Sequence, residues 1–206
     1  MRKLLFILLG VCVSSVCVSA QNKHSIGGDI DFSFNTQYSP SEIDIPSLAT
    51  VNVNYKFRFL KYASIGAGFR AGGFQQRAHS GVEEYTRYYD LYKGTVYSPF
   101  VTLGLYYDLP FETETNASHC IFIENRLSYN TIKLNKYVYS VDNTSKQTLD
   151  YDIKIGYQYP ITETLSLHFF AGYNTFNYSK IDPEHITIKA STPFQLGLGL
   201  DFHLTK

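Results

Sequence analysis

From Phe194 to Leu204 every second residue is large and apolar: Phe194, Leu196, Leu198, Leu200, Phe202 and Leu204. Between them stand Gln195, Gly197, Gly199, Asp201 and His203. Side chains on a strand alternate faces, so the run predicts a strand with one greasy face and one polar or bare face. The same rhythm recurs upstream. Strands are predicted over about Ile26–Phe34, Thr50–Phe59, Ala63–Ala71, Thr95–Leu109, His119–Asn130, Thr148–Tyr159 and Leu165–Thr175. In the second, Val51, Val53, Tyr55, Phe57 and Phe59 alternate with Asn52, Asn54, Lys56 and Arg58. In the sixth, Leu149, Tyr151, Ile153, Ile155, Tyr157 and Tyr159 alternate with Asp150, Asp152, Lys154, Gly156 and Gln158. Asn125 interrupts the apolar face of the fifth strand, and the pattern gives no reason for it.

Eight strands of roughly ten residues match the length a tilted strand needs to cross a bilayer. The connectors alternate. Long ones are expected over Asn35–Ser47, Gly72–Lys93, the hairpin tip Asp142–Ser145 and the loop around Asp182-Pro183-Glu184. Short or medium ones fall near Lys61, at Pro110–Ser118 and at Pro160–Thr164. The fold class predicted is all-β: an eight-stranded antiparallel up-and-down transmembrane β-barrel. Alternation alone does not say which face is outside, but volume does. An eight-stranded barrel has an interior just wide enough for side chains to fill. The Phe, Leu, Ile and Tyr of the apolar set would overfill it, so that set is expected to face outward. A continuous outer band of this kind suits lipid rather than water. Tyr55, Phe57, Phe59, Tyr107, Tyr157, Tyr159 and Phe202 then mark one aromatic girdle, and Phe34, Tyr97, Tyr129, Tyr151 and Tyr173 the other.

Gln195, Gly197, Leu200 and Phe202 stand in the order polar-x-Gly-x-x-apolar-x-aromatic. This resembles the C-terminal signal by which outer-membrane barrels are recognised for assembly. The whole pattern resembles the small OmpA- and OmpX-like barrels of the outer membrane protein beta-barrel domain family. The resemblance implies residence in the outer membrane of a Gram-negative-type bacterium, with both termini periplasmic. It implies as partners outer-membrane lipid, the barrel-assembly machinery during insertion, and a surface ligand reached through extracellular loops.

The start of the chain changes the domain picture. Arg2 and Lys3, an apolar run from Leu4 to about Val13 and the small residues Val18-Ser19-Ala20 predict a cleaved signal peptide over residues 1–20, with the barrel over 21–206. Cys12 and Cys17 each follow Val, which argues against a lipoprotein. Only Cys120 would then remain, too few thiols for a disulfide framework. Lys and Arg equal Asp and Glu at 18 each, so no electrostatic case for nucleic acid exists. After Ala20 no run reaches the length of a transmembrane helix.

The polar face carries Asp29, Asp31, Glu124, Asp150, Asp152 and Asp201 against Lys56, Arg58, Arg70, Arg126 and Lys154. Buried charges persist when paired and hydrogen-bonded, so a lumen crossed by salt bridges and closed to bulk flow is expected. Ser166, His168, Asp201 and His203 bring a hydroxyl, imidazoles and a carboxylate to adjacent strands, with His168 expected about opposite Asp201. That set suits acyl transfer in kind. Its place, at the end opposite the rim where acyl chains could reach, argues for a hydrogen-bonded lumen instead. Cys120 reads as a plain strand thiol. His24, His79, His119, His168, His185 and His203 are scattered, and Asp142-Asn143-Thr144 lacks the glycine and glutamate of a calcium loop. No catalytic residue, metal or cofactor is expected. Tyr85, Tyr88, Tyr89 and Tyr92, mixed with Glu83, Glu84, Arg87 and Asp90, form either a contact surface on the second long loop or an extension of the two strands flanking it. The expected role is a structural or surface-interaction barrel. A narrow, porin-like pore and a lipid-modifying enzyme are the alternatives.

Overall fold

A computed structural model describes residues 24–34, 48–82, 85–110, 118–137, 145–176 and 193–204, with the backbone alone described at 75–82, 85–92 and 134–137. Its strands are β1 (His24–Phe34), β2 (Leu48–Leu60), β3 (Ala63–Val82), β4 (Tyr85–Asp108), β5 (Cys120–Tyr137), β6 (Ser145–Pro160), β7 (Leu165–Asn174) and β8 (Phe194–Leu204). Each pairs antiparallel with its neighbours in the chain, and β1 pairs with β8 to close the barrel. The expected signal peptide lies outside the described residues, as do the hairpin tip at 142–144 and the loop around Asp182.

The alternation read from the chain is the alternation of the walls. On β6, Leu149, Tyr151, Ile153 and Ile155 face outward while Thr148, Asp150, Asp152 and Lys154 are buried. The outward band is bare: Val53 is 58% and Leu198 49% exposed, against 0% for Asp152 and 1% for Arg126 inside. The barrel thus holds its charges within and its aliphatic groups without. The interior also contains rings. Phe74 stands directly across from Gly94 and Phe100 from Gly68, Phe122 from Gly156, and Phe170 from Gly197. A Cβ on Gly156 would sit 2.4 Å from Phe122 Cζ, and one on Gly197 2.2 Å from Phe170 Cζ. Each ring therefore occupies the volume that a side chain on the opposite strand would need. This is how an eight-stranded lumen admits phenylalanine.

The short connections sit at one end, called here the turn end. Leu60 leads to Ala63 through Lys61 and Tyr62, with a bulge that shifts the register between Arg58 and Leu60. Between β6 and β7, the Thr162 hydroxyl accepts the N–H groups of Thr164 (3.2 Å) and Leu165 (3.0 Å), replacing ladder bonds that the turn gives up. The girdle at this end includes two His–Tyr pairs. His24 Nδ1 is 2.5 Å from the Tyr55 hydroxyl, and His119 bonds the Tyr157 hydroxyl.

At the opposite, loop end β3 and β4 run well past Ala71 and Thr95, where the alternation ends. Of the two readings of Gly72–Lys93, the extension of the flanking strands is the one the described backbone follows: the β3–β4 ladder runs on through Gln76↔Tyr92 to Val82↔Tyr85, with one register shift between Gln76 and Arg77. Its neighbours are described as far as Tyr137 of β5, opposite Tyr92, and Leu48 of β2, opposite Phe74. Among the described residues, β3 and β4 therefore project beyond their neighbours as a two-stranded ribbon of roughly 25 Å at the usual strand rise. One interruption of the wall is made by a proline. The β4–β5 ladder skips Ser98 and Pro99, although Phe69 still pairs with Pro99 on the β3 side. Proline has no N–H to give, so the missing bond falls on the β5 side. Ser98 bridges the gap from within by bonding Asn130.

Candidate functional site

The charges of the lumen come from separate strands and meet because alternation turns all of them inward. β1 supplies Asp29 and Asp31, β2 Lys56, β3 Arg70, β5 Glu124 and Arg126, β6 Asp152 and Lys154, and β8 Asp201. Arg126 lies at the centre, within 3.7 Å of Asp29, 3.9 Å of Asp31, 3.5 Å of Glu124 and 4.0 Å of Asp152. Its guanidinium also lies over the Phe100 ring at 4.2 Å. Lys154 reaches Asp29 at 3.4 Å and Asp31 at 3.6 Å, over the Phe170 ring. Arg70 bonds Asp152. Lys56 pairs with Glu124 at 3.0 Å and approaches Asp201 at 3.9 Å. All are buried, so each charge has traded water for an opposite charge.

Asn52 ties the network together, and the sequence reading passed over it. Its Nδ2 donates to Asp29 (2.7 Å) and Asp31 (2.9 Å), while its Oδ1 accepts from Arg70 Nε (3.2 Å) and Arg126 Nη1 (3.1 Å). An amide both donates and accepts, so it can join two cations to two anions where another charge would unbalance them. The available signal was its place in β2, directly opposite Asp29. Asp150 sits nearer the loop end, held by Asn130 and by Thr148 at 3.3 Å. Arg58 sits at the turn end, its guanidinium 4.2 Å above the Tyr106 ring. There it helps line, with Ser25, Lys56, Gln158, Asp201 and His203, a cavity of about 10 Å³, room for one water.

The Ser/His/Asp group is close together but differently wired. The register sets Ser166 opposite Asp201 and His168 opposite Gly199, not His168 opposite Asp201 as expected. A one-step diagonal still brings His168 Nδ1 to 3.3 Å from Asp201. Ser166 instead bonds His203 Nε2 at 2.8 Å, which also faces Gln158 at 3.2 Å. The serine is on one imidazole and the carboxylate on the other, so no single histidine links acid to nucleophile as acyl transfer requires. Cys120 faces inward, buried, with its thiol 3.3 Å from the Gln158 carbonyl oxygen.

The backbones of Tyr85, Tyr88, Tyr89 and Tyr92 lie in the projecting part of β4, and their side chains are outside the described residues. The side chains of His79 and His185 are likewise outside them. Gln195 and Gly197 face the lumen on β8, whereas Leu200 and Phe202 face outward. Asn125, the polar interruption of the outward face, accepts a hydrogen bond from the Tyr151 hydroxyl on β6.

No family model matches the chain, and no curated protein matches it. Among solved structures the chain is similar to Neisserial surface protein A, NspA, with a TM-score of 0.56 and 13% identity over 90% of this chain and 100% of that one. It is also similar to the N-terminal β-barrel domain of Pseudomonas aeruginosa OprF, with a TM-score of 0.53 and 12% identity over 90% of this chain and 100% of that domain. At these identities the likeness is one of fold: the chain has the fold of the small eight-stranded outer-membrane β-barrels.

Proposed function

We propose that the protein is an integral outer-membrane barrel with a closed lumen and both termini on the periplasmic side. Its role is structural or surface-directed, exercised from the loop end. The observation that carries this reading is the inverted distribution of polarity: paired charges inside, a continuous aliphatic band outside. Water does not tolerate such a band on a monomer, and a bilayer requires it. The β3–β4 ribbon supports the surface role, because it carries Tyr85, Tyr88, Tyr89 and Tyr92 past the described ends of the neighbouring strands. The network centred on Arg126 supports closure, since conduction would require breaking several buried pairs at once.

The test is gel mobility of the outer-membrane fraction in SDS, unboiled against boiled. A protein in that fraction whose mobility shifts on boiling is expected, because a closed barrel satisfies every backbone hydrogen bond within itself. Recovery as a soluble periplasmic protein with no shift would overturn the reading. In planar bilayers the purified barrel is expected to give no long-lived conductance steps; stable open steps would replace the closed lumen with a narrow pore.

A further inference from the structure

Asn125 is the polar residue that alternation placed on the apolar face. It lies on β5 between His119, beside the girdle at the turn end, and Tyr129, whose hydroxyl bonds Gln147 at 2.6 Å at the loop end. It therefore stands near mid-height in the outward band. Leu103 is directly across from it on β4, and Ile153 on β6. Tyr151, diagonal to it, turns its hydroxyl to the Asn125 carbonyl oxygen rather than toward the rim. That bond uses one acceptor position and fixes the amide plane. Among the described residues the Asn125 Nδ2 has no partner, and it faces the hydrocarbon that the outward band implies.

We infer that Asn125 is the centre of a self-association surface on which two copies of this chain meet through the outward faces of β4, β5 and β6. Three properties select a second copy as the occupant. An amide complements itself: each Nδ2 can donate to the other's Oδ1, whose second lone pair is free. A copy inserted in the same direction brings its own Asn125 to the same height without any further matching, which is the condition of a two-fold axis along the membrane normal. Acyl chains, the other neighbours at that height, carry no acceptor. Around Asn125 on the same outward faces lie Leu103, Leu105, Ile123, Leu127, Ile153 and Ile155, with the Tyr151 ring that holds the amide and the girdle tyrosines nearer the two ends. In lipid, where water supplies no hydrophobic drive between proteins, van der Waals packing and polar bonds hold membrane segments together.

This inference rests on the membrane reading above, and the two are separable in one preparation. The refolded barrel is taken into density-matched detergent micelles. Its unboiled, SDS-resistant band reports the barrel, and sedimentation equilibrium reports its association. Wild type is expected to dimerise. Asn125→Leu is expected to keep the SDS-resistant band while weakening the dimer by on the order of tenfold, from two lost bonds of the strength seen between membrane segments. In a Cys120→Ala background, mild oxidation in membranes is expected to cross-link Asn125→Cys and to leave Ile30→Cys, on the opposite wall, monomeric. A folded wild type that stays monomeric overturns the inference, as does an Asn125→Leu dimer of undiminished strength. Equal cross-linking at position 30 does so too. A wild type with no SDS-resistant band overturns the membrane reading with it.

Discussion

Gly156 and Gly28 differ by which side of the wall they face, and that difference predicts opposite tolerance. A methyl on Gly156 would meet Phe122 Cζ and the Phe169 carbonyl oxygen, each at 2.4 Å, whereas one on Gly28 would meet only the Asn52 carbonyl oxygen at 3.5 Å. Gly156→Ala is expected to destabilise the barrel by about 1–3 kcal/mol, the range for overpacking. Gly28→Ala is expected to stay within about 0.5 kcal/mol. Urea unfolding in lipid vesicles, followed by circular dichroism because the chain has no Trp, measures both. Arg126 offers a sharper case. Arg126→Leu would leave Asp29, Asp31, Glu124 and Asp152 without the guanidinium they share, and a loss of about 3–5 kcal/mol is expected in the same titration. Replacing Asn52 by Leu is expected to cost less, since the charges keep one another, but to lower the unfolding midpoint measurably.

At the scale of elements, the chain declared its walls but left their extension beyond the wall as one of two readings. Where a strand has lipid on one side and lumen on the other, the two faces need different chemistry, and period-two alternation records it. Past Phe74 and Gly94 that contrast no longer governs the residues. Gln75, Gln76, Arg77, Tyr88, Tyr89 and Asp90 are polar or amphipathic in both parities, and the segment reads as a loop although its backbone is a ladder. Register was equally hidden. The sequence states that Ser166, His168 and Asp201 share a face, but only the pairing of β7 with β8 decides which stand opposite. Asn125 was legible as an exception, while its partner Tyr151 needed the β5–β6 register to be found. These elements are expected to be separable. Removing residues 77–90 and joining Gln76 to Leu91 should leave the heat-dependent gel shift intact while abolishing any binding of intact cells to a surface ligand. Loss of the shift would mean that the ribbon holds the wall together. The turn is a smaller test: Thr162→Val removes the acceptor of two backbone N–H groups and is expected to cost roughly 1–2 kcal/mol.

For the whole molecule, the charge network has a consequence for how the barrel comes into being. Lys154 and Asp29 stand 125 positions apart in the chain, and Arg126 and Asn52 stand 74 apart. Asp201, on the last strand, faces Lys56 of the second. Adjacent strands bring some pairs together early, such as Arg126 with Asp152, but an open sheet on its way to closure would hold Asp29, Asp31 and Asp201 apart from Lys154 and Lys56. Partly assembled barrels are therefore raised in free energy, and the final meeting of β1 with β8 completes the pairing of the interior. Folding should accordingly be slow, as long-range topologies are, and should pass from unclosed to closed without a stable halfway form. A chain ending before Phe194 would be left as a set of hairpins with no reason to remain in the membrane.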